Sequence, residues 1–146
     1  MTRIIFPMTA VLIGIGSLAI AHTGVSNPDV LARMELMKKT QESTKVLGAM
    51  AKGERTFDAS LARAAAAEIA RHANETPDLF RAQEMDAKSE ALPAIWENFD
   101  DFIRKSKDLG AVALALSTSL ETEADLRAGL GQIGAACKAC HESYRK

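Results

Sequence analysis

Near the C-terminus, Leu126, Leu130, Ile133, Cys137, Cys140 and Tyr144 recur at intervals of four, three, four, three and four. This is the period of a helix with one inward stripe. It constrains the fold strongly, because two of the six are the chain's only cysteines. Cys137 and Cys140 enclose Lys138-Ala139 and are followed directly by His141, the C-x-x-C-H pattern of c-type haem attachment. The chemistry requires that order. Each thiol adds across one porphyrin vinyl group, and the three-residue separation bridges the two vinyls from one turn of backbone. The adjacent imidazole then falls under the ring, where its Nε2 binds iron. The stripe turns both thiols toward a bundle interior, with His141 at its flank, one turn after Cys137.

Other uses of C-x-x-C fit less well. Zinc wants two more ligands, and the remaining histidines, His22 and His72, stand at no finger-like spacing. A thioredoxin-like dithiol belongs beside a βαβ pattern, and no alternating apolar run here is bounded by turn signals. A structural disulfide and a haem-free thiol–disulfide protein stay as alternatives, separable by a thiol assay and the colour of the purified protein.

The first residues stand apart from the fold. Arg3 precedes an uncharged, mostly apolar run from Ile4 to Ile20, and Ala19-Ile20-Ala21 has the A-x-A form of a cleavage site. This is the pattern of a secretory signal peptide over 1–21. The run is close to a spanning length, but Pro7, Gly14, Gly16 and the small-residue exit favour cleavage over an anchor. Export agrees with the haem motif, since haem c is attached outside the bacterial cytoplasm, so the expected location is the periplasm. Residues 22–146 are enough for one domain with a core. The leader takes one arginine and no acid from 18 basic and 19 acidic side chains, leaving a mature charge near −2. There is no basic patch to suggest nucleic acid, and no later run suits stable membrane insertion.

Four helices are expected. Ser26 or Asn27 caps the first, with Pro28 in its opening turn, Asp29 at the positive end of the dipole and Lys52-Gly53 at its close. Its stripe reads Val30, Met34, Met37, Gln41, Thr44, Gly48 and Ala51, with Leu47 and Met50 beside it. Asp58 or Ser60 opens the second helix, which runs through Leu61, Ala65, Ile69 and a partly exposed His72 until Asn74 and Pro77 stop it. An irregular stretch over 75–91 is pinned by Leu79-Phe80. From Pro93 a third helix continues through Gly110 to about Ser117–Ser119, because Leu92, Ile95, Phe99, Phe102, Ser106, Leu109, Ala113, Leu116 and Leu120 keep the alternation. Thr122 and Asp125 resemble a capping pair for the fourth. The predicted fold is all-α: an antiparallel up-down-up-down four-helix bundle with covalently attached haem c. Alanine-rich outer faces on the first two helices admit a homodimer.

The second axial position of the iron decides the function, because an open site binds gases whereas a methionine closes it and raises the potential. The first helix runs antiparallel to the last, so its start lies beside His141. Met34 and Met37 are both near that start. Met50 is about 20 Å farther along the axis than Met37 at 1.5 Å per residue, which excludes it, and Met85 in the connection is a weak candidate.

Three segments together resemble the cytochrome c′ family, the class II c-type cytochromes, over essentially the whole mature length. They are Val46-Leu47-Gly48-Ala49-Met50-Ala51-Lys52-Gly53-Glu54, then Leu92-Pro93-Ala94-Ile95-Trp96, then Cys137-Lys138-Ala139-Cys140-His141 with Tyr144-Arg145. All c-type cytochromes share the haem motif; its place five residues from the C-terminus, with the other two segments, is specific to this family. The resemblance implies that Met37, by ungapped spacing back from Ala51-Lys52-Gly53, holds the distal-face position. High-spin members commonly carry an apolar residue there, whereas a low-spin branch carries an iron-ligating methionine, which Leu36-Met37-Lys38 resembles; Met34 is the reserve. It also implies that Arg33 lies near a haem propionate and Arg145 near the proximal histidine. The expected protein is a periplasmic monohaem electron carrier, not an enzyme, with His141 and Met37 as axial ligands and periplasmic redox proteins as donor and acceptor. The alternative is a five-coordinate protein binding nitric oxide or carbon monoxide at an open distal site.

Overall fold

The computed structural model describes residues 24–146; the expected leader, 1–21, lies outside the described residues. Four long helices and one short one follow in order: α1 Pro28–Ala51, α2 Ala59–Leu79, α3 Ala94–Glu97, α4 Phe99–Ser119 and α5 Glu123–Tyr144. Helix α2 packs on α1 and α4, and α5 packs on α4 and α1. Neighbours are antiparallel: Arg127 near the start of α5 donates to the Ala51 carbonyl at the end of α1 (3.4 Å), and Arg63 near the start of α2 donates to Leu120 just past α4 (2.8 Å). The expected up-down-up-down bundle is the observed one.

Local chemistry sets the helix ends. Asn27 Oδ1 accepts from the Asp29 and Val30 amides, and Asp58 accepts from Leu61. Thr122 and Asp125 form a reciprocal capping box, satisfying donors that the first turn leaves unpaired. Gly53, at φ 74, turns the chain out of α1 in a conformation that side chains disfavour.

The interior divides into two clusters. The first joins Leu47, Met50, Ile69, Leu116, Leu126 and Ile133, with Cys137 at its edge. The second, at the end holding the chain's C-terminus, joins Phe80, Ile95, Phe102 and Tyr144, with Cys140 at its edge. The C-terminus is tied down beside it, since Ala91 pairs with Arg145 in an isolated bridge, and Lys146 donates its amide to the Glu90 carbonyl (2.8 Å).

Helix α2 does not stop at Asn74 or Pro77 but runs on to Leu79. Proline inside a helix removes the N–H that would pair with the carbonyl four residues earlier. Here the Ser106 hydroxyl of α4 donates to that carbonyl, Ala73 O, at 2.7 Å. The expected third helix is interrupted at Asn98 (φ −131, ψ 45). Its side-chain amide bonds the Ala94 carbonyl at 3.3 Å, a local alternative to the helical ladder. Gly110 lies inside α4, as the period predicts.

In α1 the buried line is Val30, Arg33, Leu36, Thr40, Leu47 and Met50, whereas Met34, Met37 and Gln41 are exposed. Polar residues fit inside because each has a partner: Thr40, for example, donates to the Leu36 carbonyl at 2.9 Å. His72 is buried rather than partly exposed. Its Nε2 lies 2.8 Å from an Arg71 Nη, and its Nδ1 has no hydrogen-bond partner among the described residues. No described helix is long and apolar enough to cross a membrane.

Two expectations follow from this packing. A Cβ on Gly129 would stand 2.4 Å from Leu116 Cδ1, whereas one on Gly131 meets nothing within 4 Å. Gly129→Val should therefore destabilise by about 1–3 kcal/mol through overpacking, and Gly131→Ala should stabilise by about 0.5–1 kcal/mol, both read from urea unfolding. Burial, then the Arg71 charge, hold the His72 pKa below 6.5. Its contribution to stability is complete above 6.5 and is lost as pH falls through the lower folded-state value, because the unfolded chain takes up the proton first. His72→Leu should flatten the stability curve below pH 6.5; an unchanged slope contradicts this.

Candidate functional site

The α5 stripe brings Cys137 and Cys140 to neighbouring positions on one face, each half-buried and neither in a disulfide. Burial pushes both thiols above the ordinary cysteine pKa; for Cys140 the nearby Lys105 pulls the other way. A reactive redox dithiol needs the opposite, a depressed pKa, so the thiol–disulfide alternative loses ground. His141 is exposed on α5. Partial desolvation and then Arg145 hold its pKa below 6.5, against the pull of Glu90. Both effects favour the neutral imidazole, the form that binds metals.

Across the bundle, Arg33 is 3 % exposed. Its Nε donates to Leu79 O at 2.9 Å, one Nη to Glu84 O at 2.7 Å and the other Nη to Ala82 O. Its guanidinium lies 4.6 Å from the Phe80 ring centroid and 5.5 Å from that of Trp96, within the range of cation–π attraction. Arg33 therefore anchors the turn after α2, and burial lowers its pKa. Trp96 Nε1 donates to Phe80 O at 2.7 Å. From Phe80 the rings continue to Phe102 (4.9 Å) and Tyr144 (5.4 Å). This chain of contacts links the first turns of α1 to the last turn of α5.

Met37 follows Arg33 by one helical turn. At 3.6 residues per turn it lies about 40° around α1 from Arg33, whereas Met34 lies about 100° away. Both are long apolar side chains left 37 % and 40 % exposed. Met50 is buried in the first cluster, at the other end of α1, and Met85 is exposed in the connection. Arg145 pairs with Glu90, its Nε at 2.6 Å from the carboxylate.

A further group went unread in the sequence. Lys105 of α4 lies beside the haem motif together with Asp101, which accepts from the Tyr144 hydroxyl at 2.7 Å. Burial, then this bond to an anion, push Tyr144 up to about 12, and the same bond leads the causes that lower Asp101. The available signal was Asp101 and Lys105 at i, i+4 opposite a C-terminal tyrosine.

The family model for cytochrome c′ matches residues 29–145. The chain belongs to the cytochrome c′ family. It is 40 % identical over 118 residues to a cytochrome c-556 of Agrobacterium fabrum, covering 80 % of each chain. Among solved structures it is similar to cytochrome c′ from Rhodopseudomonas palustris (TM-score 0.77, 33 % identity, 83 % of this chain and 98 % of that one). It is also similar to an NMR-validated structural model of oxidised R. palustris cytochrome c556 (TM-score 0.76, 28 % identity, 83 % and 98 %).

Members of the cytochrome c′ family are haem proteins rather than enzymes, and haem c is carried on Cys137 and Cys140. The donor set fits: two unbridged thiols share a face, one at the edge of each apolar cluster.

Arg33→Met keeps apolar bulk but leaves three backbone carbonyls without this donor. It should destabilise the protein by about 2–4 kcal/mol, read from denaturant unfolding of the holoprotein, with Arg33→Lys intermediate because it lacks the planar fork.

Proposed function

We propose that this cytochrome c′ family member is a periplasmic carrier of single electrons whose haem iron is six-coordinate and low-spin, with His141 and Met37 as axial ligands. When bound, the haem supplies a reversible one-electron Fe(III)/Fe(II) couple. His141 provides a neutral imidazole from the last turns of α5. Met37 provides a thioether, a ligand that raises the potential and closes the site to small molecules.

The observation that carries this reading is the placement of Met37. Met34 and Met37 are similarly exposed, at 40 % and 37 %, but Met37 lies about 40° around α1 from the buried Arg33 and Met34 about 100°. Met37 stands one turn from Arg33, whose ring contacts lead to Tyr144, three residues beyond His141. The similarity to cytochromes c-556 supports the same reading.

Other side chains support the site. Phe80, Ile95 and Phe102 keep water from the C-terminal end of the interior. Arg33 has five N–H donors, and those beyond its three carbonyl bonds serve a haem propionate. Arg145, held by Glu90, tunes the face carrying His141. Periplasmic redox proteins are the donor and acceptor, consistent with the expected export signal. The exposed Ala64 and Ala67 of α2 leave room for the expected homodimer.

A second reading is a five-coordinate protein that binds nitric oxide or carbon monoxide. It is favoured by the near-equal similarity to R. palustris cytochrome c′. Carbon monoxide added to the reduced protein separates the two: slow or absent binding supports the carrier, rapid tight binding the gas-binding protein. Met37→Leu should convert a low-spin spectrum to a high-spin one and open the iron to carbon monoxide, while Met34→Leu should leave both unchanged. A Met37→Leu protein that stays low-spin rejects Met37 as ligand.

A further inference from the structure

Lys105 reaches the haem-attachment segment from another helix. Its Nζ donates to the carbonyl of Ala139, the residue before Cys140, at 3.1 Å, and to Ser143 Oγ, two residues after His141, at 2.8 Å. It also lies 5.2 Å from the Tyr144 ring centroid and 3.5 Å from Asp101 Oδ2. Asp101 in turn accepts from the Tyr144 hydroxyl (2.7 Å) and from Arg104. The Lys105 side chain is 20 % exposed. It is less exposed than the lysines and arginines of the surface ion pairs, whose contribution is small. A long, mobile lysine held at two points within one turn of a neighbouring helix gives up considerable rotamer freedom, so these contacts fix a geometry.

We propose that Lys105 is a positioning residue of the haem site: its ammonium pins the Cys140–His141 turn of α5 to α4 and stands as a fixed positive charge beside Cys140, with Asp101 as counter-charge. A fixed cation near the haem favours the reduced iron, which carries one positive charge fewer. Lys105 therefore raises the reduction potential and Asp101 lowers it. The inference rests on the haem carried at Cys140 and on its one-electron couple, and not on whether Met37 is a ligand.

The test is an equilibrium spectroelectrochemical titration of the full holoprotein and its variants at fixed pH and low ionic strength. Lys105→Met should shift the midpoint downward, Asp101→Asn should shift it upward, and Lys105→Arg should stay near the parent. Each of the first two variants removes one member of the same hydrogen-bonded group, so loosening alone would move both in one direction. Shifts of the same sign, or no shift in Lys105→Met, overturn the proposal. If Lys105→Met yields no holoprotein, Lys105→Gln keeps a donor for the Ala139 carbonyl and should show the same downward shift; its absence is equally decisive. The absorption spectra recorded during the titration report ligation separately, so failure of the Met37 assignment is seen independently of the midpoint.

Discussion

A helix offers a bundle one inward face, and in α5 that face must both fill the core and carry the haem. Leu126 and Ile133 are fully buried in the first cluster, Tyr144 closes the second, and the cysteines occupy the turns between. The three-residue spacing of Cys137 and Cys140 is compatible with both tasks, because three or four residues return to the same face. Everything at that end of the molecule is arranged around this face. The aromatic cluster abuts Cys140, α1 approaches from across the bundle, and the C-terminal residues are clamped to the connection through Ala91 and Glu90.

Building such an end requires burying polar groups, which is costly wherever one is left without a partner. The Pro77 backbone leaves the Ala73 carbonyl free, and Ser106 supplies the donor from α4. The carbonyls of the turn after α2 converge on Arg33. These arrangements couple the elements around the site: Arg33 ties α1 to the connection, and the Phe80–Phe102–Tyr144 rings tie the connection to α5. The distance between the helix bearing Met37 and the helix bearing His141 depends on contacts made by other residues, which is why the proposed ligation concerns the whole end of the bundle.

Charge near the haem motif is also paired. Lys105 faces Asp101, Arg145 faces Glu90, and Lys138 lies 3.6 Å from Glu142. The exposed Lys138 pair is screened by water, whereas Lys105 is mostly covered. A less exposed charge is the less screened, since interactions between charges weaken as the effective dielectric constant rises.

Local sequence alone determined the helical class, the Thr122–Asp125 cap, the passage of α4 through Gly110 and the inward turn of both cysteines, and it narrowed the first two caps to Ser26 or Asn27 and Asp58 or Ser60, of which the structure uses Asn27 and Asp58. These follow from period and short-range hydrogen bonding, which involve residues within a turn or two. Tertiary structure alone decided that α2 outlasts Pro77, that Arg33 and His72 lie inside, and that Lys105 reaches the haem motif. Whether a polar group can be buried, or a broken helical hydrogen bond replaced, depends on a partner 33 residues away for Ala73 and Ser106 and 34 residues away for Lys105 and Ala139. No local pattern encodes such a partner, and it exists only once the helices have packed.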